Sequence, residues 1–170
     1  MGVATYAHEL FASLPDLDQV YVPIGMGSGI CGLITVRDLL GLKTEIIGVV
    51  AENAPAFALS LDAGRPVSTN TARTFADGLA CREPQSEPFE IIRKGATAIV
   101  KVGDDEIAEA VRHIYSDTHN LAEGSGAAPL AALLKQRPTS AACRVALILS
   151  GGNIDMAVLS RIVRGETPEA

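Results

Sequence analysis

The chain has 170 residues, 48% of them apolar, which is enough to bury one sizeable core in a single globular unit. Its formal net charge of -6 and its pI near 5.0, without any run of lysine or arginine, argue against nucleic acid or an anionic membrane surface as a partner. No stretch approaches the roughly 18 uninterrupted apolar residues of a membrane span, and no basic segment precedes an apolar one at the N-terminus, so we expect a soluble, cytoplasmic protein.

The first forty residues predict a helix, a strand, a glycine-rich turn and a second helix. Apolar residues recur at helical spacing over 2–13, and Pro15 ends that helix. An apolar run at 20–24 predicts a buried strand, after which a helical apolar period begins. The connecting turn consists of Gly25, Met26, Gly27, Ser28 and Gly29. Its N–H groups would lie at the positive end of a helix dipole, so the turn predicts a site for an anion, most simply a phosphate.

A second strand and helix follow over 45–64. Residues 45–50 are rich in β-branched side chains and predict a buried strand, and a helix over 55–63 is closed by Gly64. Glu52 stands at the C-terminal end of this strand, where open α/β sheets place their ligands. A carboxylate stabilised by the dipole of the following helix is an equally good interpretation.

The remainder of the chain begins with an irregular segment and then regains periodicity. Residues 65–85 show no clear period, which in a compact domain is usually a sign of function, and Asp77-Gly78 predicts a turn. After Gly165 the chain is expected to fray. Helices are predicted at 86–94, from Asp104 onward, at 127–136 and at 156–163, and strands at 98–102 and 144–149.

Four apolar strands separated by helices predict an α/β domain with a largely parallel sheet and helices on both faces. Three strand ends carry glycine or polar clusters, at 25–29, 52–53 and 150–153. Because the carboxyl ends of parallel strands meet at one edge of the sheet, these clusters are predicted to line one pocket. Cys31, Cys81 and Cys143 are odd in number and far apart, so they are predicted to be free thiols.

On the residues alone, this pocket would hold a phosphate at 25–29 and aim the hydroxyl of Ser150 at the same ligand. The turn lacks the G-x-G-x-x-G spacing of a dinucleotide fold, since Ile30 stands three positions after Gly27, and it lacks the Gly-Lys-Ser/Thr of a P-loop. Glu52, about twenty residues on, matches the place of a ribose-binding carboxylate. Nucleotide binding therefore stays open.

Five segments together carry a more specific signal: PIGMGSGICG, AENAP, TFADGLACR, DTHNLAEGSGAAPLAAL and LILSGGNID. In this order and at these intervals they closely resemble the second half of the threonine dehydratases, members of the fold-type II pyridoxal-phosphate enzymes, which include serine racemase. The resemblance covers the chain from Gly2 to about Val163. It implies a place in the large domain of that fold, pyridoxal 5'-phosphate as cofactor and an amino acid as the small-molecule substrate.

The resemblance implies a role for each cofactor-binding position. The turn at 25–29 would bind the cofactor phosphate, with Met26 and Ser28 standing where relatives often carry glycine. Ser150, just before Gly-Gly-Asn, would face the pyridine nitrogen and leave it unprotonated, which suits β-elimination of a hydroxyl. Gly78 would pack against the cofactor ring, and Glu123 would lie close to it.

Some relatives hold a divalent cation with a glutamate at the position of Glu52 and an acidic residue six positions later. This chain has Ala58 at that later position. We therefore expect no metal site, and Glu52 is only a weak candidate for a ligand.

The resemblance also implies a missing catalytic group. Relatives hold the cofactor as a Schiff base on a lysine in a Ser-x-Lys motif of their N-terminal half. The lysines of this chain lie in no such motif and are predicted to be solvated surface residues: Lys43, Lys94, Lys101 and Lys135. Residues 1–164 would thus be the C-terminal part of the catalytic domain, residues 165–170 a tail, and Met1 a truncated or internal start. We expect no catalytic residue here and little or no activity from this chain alone.

Three hypotheses follow from these observations. In the first, the chain is part of an ammonia-lyase that converts L-threonine to 2-oxobutanoate and ammonia, with threonine, serine or another hydroxy amino acid, or racemisation, left open. In the second, it is a non-catalytic module for a phosphorylated molecule or nucleotide. In the third, exposed sheet edges drive self-association, so the chain is a homo-oligomer or needs the missing half.

Overall fold

The computed structural model describes residues 2–136 and 143–170. Within these ranges the helices are α1 (Ala4–Ser13), α2 (Ser28–Leu39), α3 (Ala56–Ala63), α4 (Ser86–Gly95), α5 (Asp104–Thr118), α6 (Gly124–Gln136) and α7 (Met156–Val163). The strands are β1 (Gln19–Pro23), β2 (Glu45–Ala51), β3 (Ala98–Val102) and β4 (Val145–Leu147). A short 3₁₀ turn covers Asp77–Leu79, where the sequence predicted a turn. None of the helices in these ranges has the length and apolar character that crossing a bilayer requires.

The strands form one sheet in the order β3-β2-β1-β4, and every pairing among them is parallel. In the centre, Val20 of β1 lies opposite Ile46 of β2 on one side and Ala146 of β4 on the other. The predicted α/β class with a parallel sheet is confirmed. All strands therefore end at the same edge, which is where the ligand site of such a sheet is expected.

Helices cover both faces of the sheet, because successive strand residues point to opposite sides. On β1, Val20 and Val22 pack with α1, α2 and α4, whereas Tyr21 packs on the other face against α5, α6 and α7. The central strand β2 is buried along almost its whole length, as its continuous apolar run predicted. The core therefore has two layers, with the sheet between them.

Two predicted boundaries differ from the structure. Helix α6 begins at Gly124, three residues before the predicted start, because the N–H of Ala127 already bonds the carbonyl of Glu123 at 3.0 Å. Pro129 consequently falls in the second turn rather than the first. Strand β4 is shorter than the predicted 144–149, although the N–H of Ile148 still bonds the carbonyl of Tyr21 at 3.0 Å.

The irregular segment 65–85 and the C-terminal tail are both tied to the rest of the fold. The N–H of Val67 bonds the Ser60 hydroxyl at 2.8 Å, and the N–H of Thr69 bonds the carbonyl of Arg82 at 3.0 Å. In the tail, the Thr167 hydroxyl bonds Asp105, and Pro168 is buried. The expected fraying after Gly165 is therefore corrected by these contacts with α5.

Candidate functional site

A cavity of about 720 Å³ opens at the carboxyl ends of β1 and β4. Its lining includes every residue predicted to bind a cofactor: Gly25, Met26, Gly27, Ser28, Gly29, Gly78, Glu123 and Ser150. These residues come from the β1–α2 turn, the 3₁₀ turn, the start of α6 and the end of β4. The prediction that separate strand ends meet in one pocket is thus confirmed for 25–29 and for Ser150.

The glycine turn presents free backbone donors to this cavity. Gly27 adopts a left-handed conformation with φ of +95°, which lets the chain reverse from β1 into α2. The first hydrogen bond of α2 runs from the N–H of Cys31 to the carbonyl of Gly27 at 3.0 Å. The N–H groups of the first three residues of the helix, 28–30, therefore have no partner within it and lie at the positive end of its dipole.

Five residues in direct contact form the floor of the cavity: Gly25, Gly78, Ser125, Glu123 and Gly151. A Cβ on Gly25 would overlap the carbonyl oxygen of Gly78, and a Cβ on Gly78 would lie 2.6 Å from the Ser125 hydroxyl. The Ser125 hydroxyl donates to Oε1 of Glu123 at 2.8 Å. A Cβ on Gly151 would lie 2.6 Å from that same oxygen. This floor connects the glycine turn to the end of β4 without room for a side chain at its three glycines.

Tyr6 of α1 forms part of the cavity wall. Its hydroxyl donates to the carbonyl oxygen of Gly29 at 3.1 Å and so ties α1 to the first turn of α2. Burial raises the pKa of Tyr6 to about 12, so the phenol stays protonated and keeps donating over the physiological range.

Met26 and Ser28, which replace glycines of the resembling family, leave the turn's backbone accessible. Met26 is 60% exposed, and its sulfur lies 3.9 Å from the sulfur of Cys81. Ser28 is also exposed and begins α2. Neither side chain is buried beneath the turn, so both are compatible with a ligand held by main-chain N–H groups.

Glu52 does not join this cavity, which corrects the expectation that its strand end shares the pocket. It is exposed at the end of β2, and its carboxylate faces Gly103 at the neighbouring end of β3. Since β2 is separated from β4 by β1, its end is displaced from the cavity between β1 and β4. Among the described residues, no cluster of three His, Cys, Asp or Glu side chains is suited to a metal ion.

All four lysines are exposed, as predicted: Lys43, Lys94, Lys101 and Lys135. Within the described part of the chain, no lysine lines the cavity. The three cysteines are free. Burial, with a smaller contribution from Glu87, raises the pKa of Cys31 to about 11, so this thiol is a poor nucleophile.

The sequence reading missed two polar residues of the site and one apolar segment. Ser125 was visible only as part of a small-residue run before a helix, and nothing marked its contact with Glu123. Tyr6 was indistinguishable from a core residue of an amphipathic helix. The apolar wall at 147–149 was read as strand, without a role in the pocket. All three depend on which elements pack together, which no local pattern in the sequence reports.

A family model described as pyridoxal-phosphate dependent enzyme matches residues 1–151. The chain belongs to the pyridoxal-phosphate dependent enzyme family. Pyridoxal phosphate is the cofactor of that family, and the cavity is located where the resemblance in the sequence placed its binding residues.

Relatives and solved structures agree with this assignment. L-threonine ammonia-lyases of Geobacter sulfurreducens and Thermotoga maritima are 39% and 35% identical to the chain, over 95% of its length and 40% of theirs. The processed form of threonine deaminase isoform 2 from Solanum lycopersicum superimposes with a TM-score of 0.90 at 30% identity, covering 96% of this chain and 46% of that one. Maize serine racemase gives 0.85 at 27%, covering 96% and 51%. The chain thus spans about half the length, or less, of these proteins.

Proposed function

We propose that this chain is the pyridoxal-phosphate-binding part of a threonine/serine ammonia-lyase, which converts L-threonine to 2-oxobutanoate and ammonia by β-elimination. The observation that carries the proposal is the single cavity into which all predicted cofactor residues converge. The identity to L-threonine ammonia-lyases supports the choice of reaction, since those relatives match over nearly the whole of this chain.

The residues present fit the cofactor. A phosphate needs several convergent N–H donors, and the turn at 25–29 supplies them at the start of α2. A flat aromatic ring needs a surface without side chains, and the floor provides Gly78 and Gly151, where a Cβ would collide with its neighbours. The cavity volume of about 720 Å³ falls within the usual range for cofactor pockets.

Bound pyridoxal phosphate would supply the electron sink for the elimination. The glycine turn would anchor its phosphate and so fix the position of the ring in the cavity. Ser150 would meet the pyridine nitrogen with a neutral hydroxyl, which does not compel that nitrogen to carry a proton. Glu123 would place a carboxylate beside the ring. Apolar residues 147–149 would exclude water from one side of the cavity.

The base of the reaction must come from outside this chain, because none of its lysines reaches the cavity. We therefore infer that the chain binds the cofactor without a covalent bond and is inactive, or nearly so, on its own. A lysine-bearing polypeptide equivalent to the remaining half of the relatives would complete the site.

A titration of the chain with three ligands tests the binding proposal. Pyridoxal phosphate should bind, pyridoxal without its phosphate should bind at least about tenfold more weakly because the turn loses its charged partner, and ADP should not compete. Absorbance and equilibrium dialysis measure this directly. Preference for ADP over pyridoxal phosphate would instead favour the alternative of a non-catalytic nucleotide module.

Complementation tests the reaction. The chain should show no release of 2-oxobutanoate from L-threonine alone, and it should gain that activity when mixed with the lysine-bearing half of the Geobacter sulfurreducens relative. Ser150→Ala in the same mixture should lower the rate. Persistent inactivity of a folded, cofactor-loaded mixture would refute the proposed reaction.

We further propose that the chain associates through the free edge of β4, with a second copy or with the complementary half. In the part of the chain that the structure describes, β4 pairs with β1 alone. Exposed apolar side chains lie near this strand in the sequence, including Leu149 and Met156, which are 43% and 73% exposed. An unpaired strand edge bordered by apolar surface favours pairing with another chain.

A further inference from the structure

Glu123 carries the only carboxylate among the described residues that line the main cavity. One of its oxygens, Oε1, accepts a hydrogen bond of 2.8 Å from the hydroxyl of Ser125. Ser125 is 5% exposed, so water does not compete effectively for this bond. A hydrogen bond to a charged acceptor in a water-poor setting is among the stronger ones in proteins, and here it fixes one half of the carboxylate.

The backbone of Glu123 is held from both sides as well. Its N–H donates to the carbonyl of Gly151 at 3.0 Å, and its carbonyl accepts from the N–H of Ala127 at 3.0 Å. The α-carbon of Gly151 lies so close to the side chain that a Cβ there would be 2.6 Å from Oε1. Oε1 is therefore confined between Gly151 and Ser125. Its partner Oε2 accepts no hydrogen bond from any described residue.

Ser125 is not needed for capping α6. The helix begins at Gly124, so the N-cap position belongs to Glu123, and Ser125 is the second residue of the helix. Its single hydroxyl proton goes to the carboxylate rather than to a backbone group. The close approach of Gly78, where a Cβ would lie 2.9 Å from the Ser125 Cβ, leaves this hydroxyl little freedom to turn elsewhere.

We propose that Ser125 is a positioning residue, which holds Glu123 so that the free oxygen of its carboxylate faces the ring of pyridoxal phosphate. This inference rests on the proposed function, because it assigns Glu123 to that ligand. The phosphate end of the ligand is held by a different element, the turn at 25–29. Loss of the Ser125 hydroxyl should therefore affect recognition of the ring and leave recognition of the phosphate unchanged.

A double-mutant cycle with two probes tests the positioning role. Ser125→Ala should weaken pyridoxal phosphate about fivefold, the effect expected of one hydrogen bond to a charged group, and leave the affinity for inorganic phosphate unchanged. In a Glu123→Ala background the same change should have no further effect, because its target is gone. Ser116→Ala is the matched control, since it removes an exposed serine–carboxylate bond of 3.0 Å to Asp117.

A second measurement uses the chain without any ligand. The ¹³C resonance of the Glu123 carboxyl carbon should shift in Ser125→Ala and stay in place in Ser116→Ala. An unchanged resonance, or wild-type affinity of Ser125→Ala for pyridoxal phosphate, would overturn the proposal, as would a fivefold loss that persists without Glu123. Failure of the wild-type chain to bind pyridoxal phosphate would count against the proposed function, and the carboxyl resonance would still decide the role of Ser125.

Discussion

Gly25 and Gly78 meet without any space between their backbones, and the phosphate turn depends on that contact. A Cβ on Gly25 would overlap the carbonyl oxygen of Gly78, and neither backbone can move without displacing the rest of the floor. Close packing of this kind makes added volume costly even when it is a single methyl group.

Gly25→Ala should therefore destabilise the chain by about 1–3 kcal/mol and weaken pyridoxal phosphate at least about tenfold. Gly2→Ala is the matched control, because a Cβ at Gly2 meets no atom within 4 Å. Urea unfolding and equilibrium dialysis on both variants measure the two effects. Equal affinity of Gly25→Ala and Gly2→Ala would contradict the assignment of this turn to the phosphate.

Tyr6 makes stability depend on pH in the alkaline range. Its pKa is about 12 in the folded chain, above the ordinary value near 10, so the folded state holds the phenolic proton more tightly. The resulting stabilisation is complete below pH 10 and is lost as the pH rises from 10 to 12, because the unfolded chain releases the proton first.

Tyr6→Phe should therefore flatten the fall of the unfolding midpoint between pH 10 and 12. Part of the fall should remain, since burial, helped by Cys143 and Glu45, raises the pKa of Tyr21 as well. Thermal unfolding monitored by circular dichroism at several pH values gives the comparison. Tyr115→Phe, which removes a 55% exposed ring hydroxyl, serves as control, and an identical slope for the two variants would contradict the prediction.

At the scale of elements, the start of α5 is stabilised by one side chain. Oε2 of Glu106 accepts the N–H of Gly103 at 2.7 Å, which satisfies a donor at the beginning of the helix, and it also pairs with Lys135 of α6 at 2.9 Å. The first interaction is a cap and the second an exposed ion pair, so they should differ in energy.

Glu106→Ala should lower the free energy of unfolding by about 1 kcal/mol, mostly through the lost cap. Lys135→Ala, which removes the ion pair and keeps the cap, should cost less than about 0.5 kcal/mol. Urea titrations followed by circular dichroism resolve this difference. A larger loss from Lys135→Ala would show that the link between α5 and α6 matters more than the helix start.

At the scale of the whole molecule, the free edge of β4 governs association. The N–H of Ile148 points to β1, so by the alternation of a strand the N–H of Val145 faces the open edge. Proline is tolerated on an edge strand where its missing N–H faces outward, and it blocks pairing there.

Val145→Pro should therefore reduce self-association and remain folded, whereas Val145→Ala, which keeps the N–H, should associate like the wild type. Sedimentation velocity across a hundredfold range of concentration gives the mass of each. A wild-type chain that stays monomeric throughout would remove the basis of the proposed edge contact.

Much of this protein follows from local patterns in its chain. Apolar runs such as 45–50 predicted buried parallel strands, and the helical spacing of 156–163 predicted α7, because burial on a sheet or a helix face constrains residue type at a fixed period. The glycine turn at 25–29 indicated an anion site, because close backbone approach demands residues without a Cβ. The resemblance of five segments identified the family and its cofactor.

The arrangement of the site depended on packing between distant segments. Which strand ends meet follows from the strand order, which places β4 beside β1 and leaves Glu52 on the far side of β1. The contacts of Ser125 with Glu123 and of Tyr6 with Gly29 follow from how α6 and α1 pack on the sheet. Periodicity constrains which face of an element is buried, but it carries no information about which neighbour covers that face, and so only the folded chain shows them.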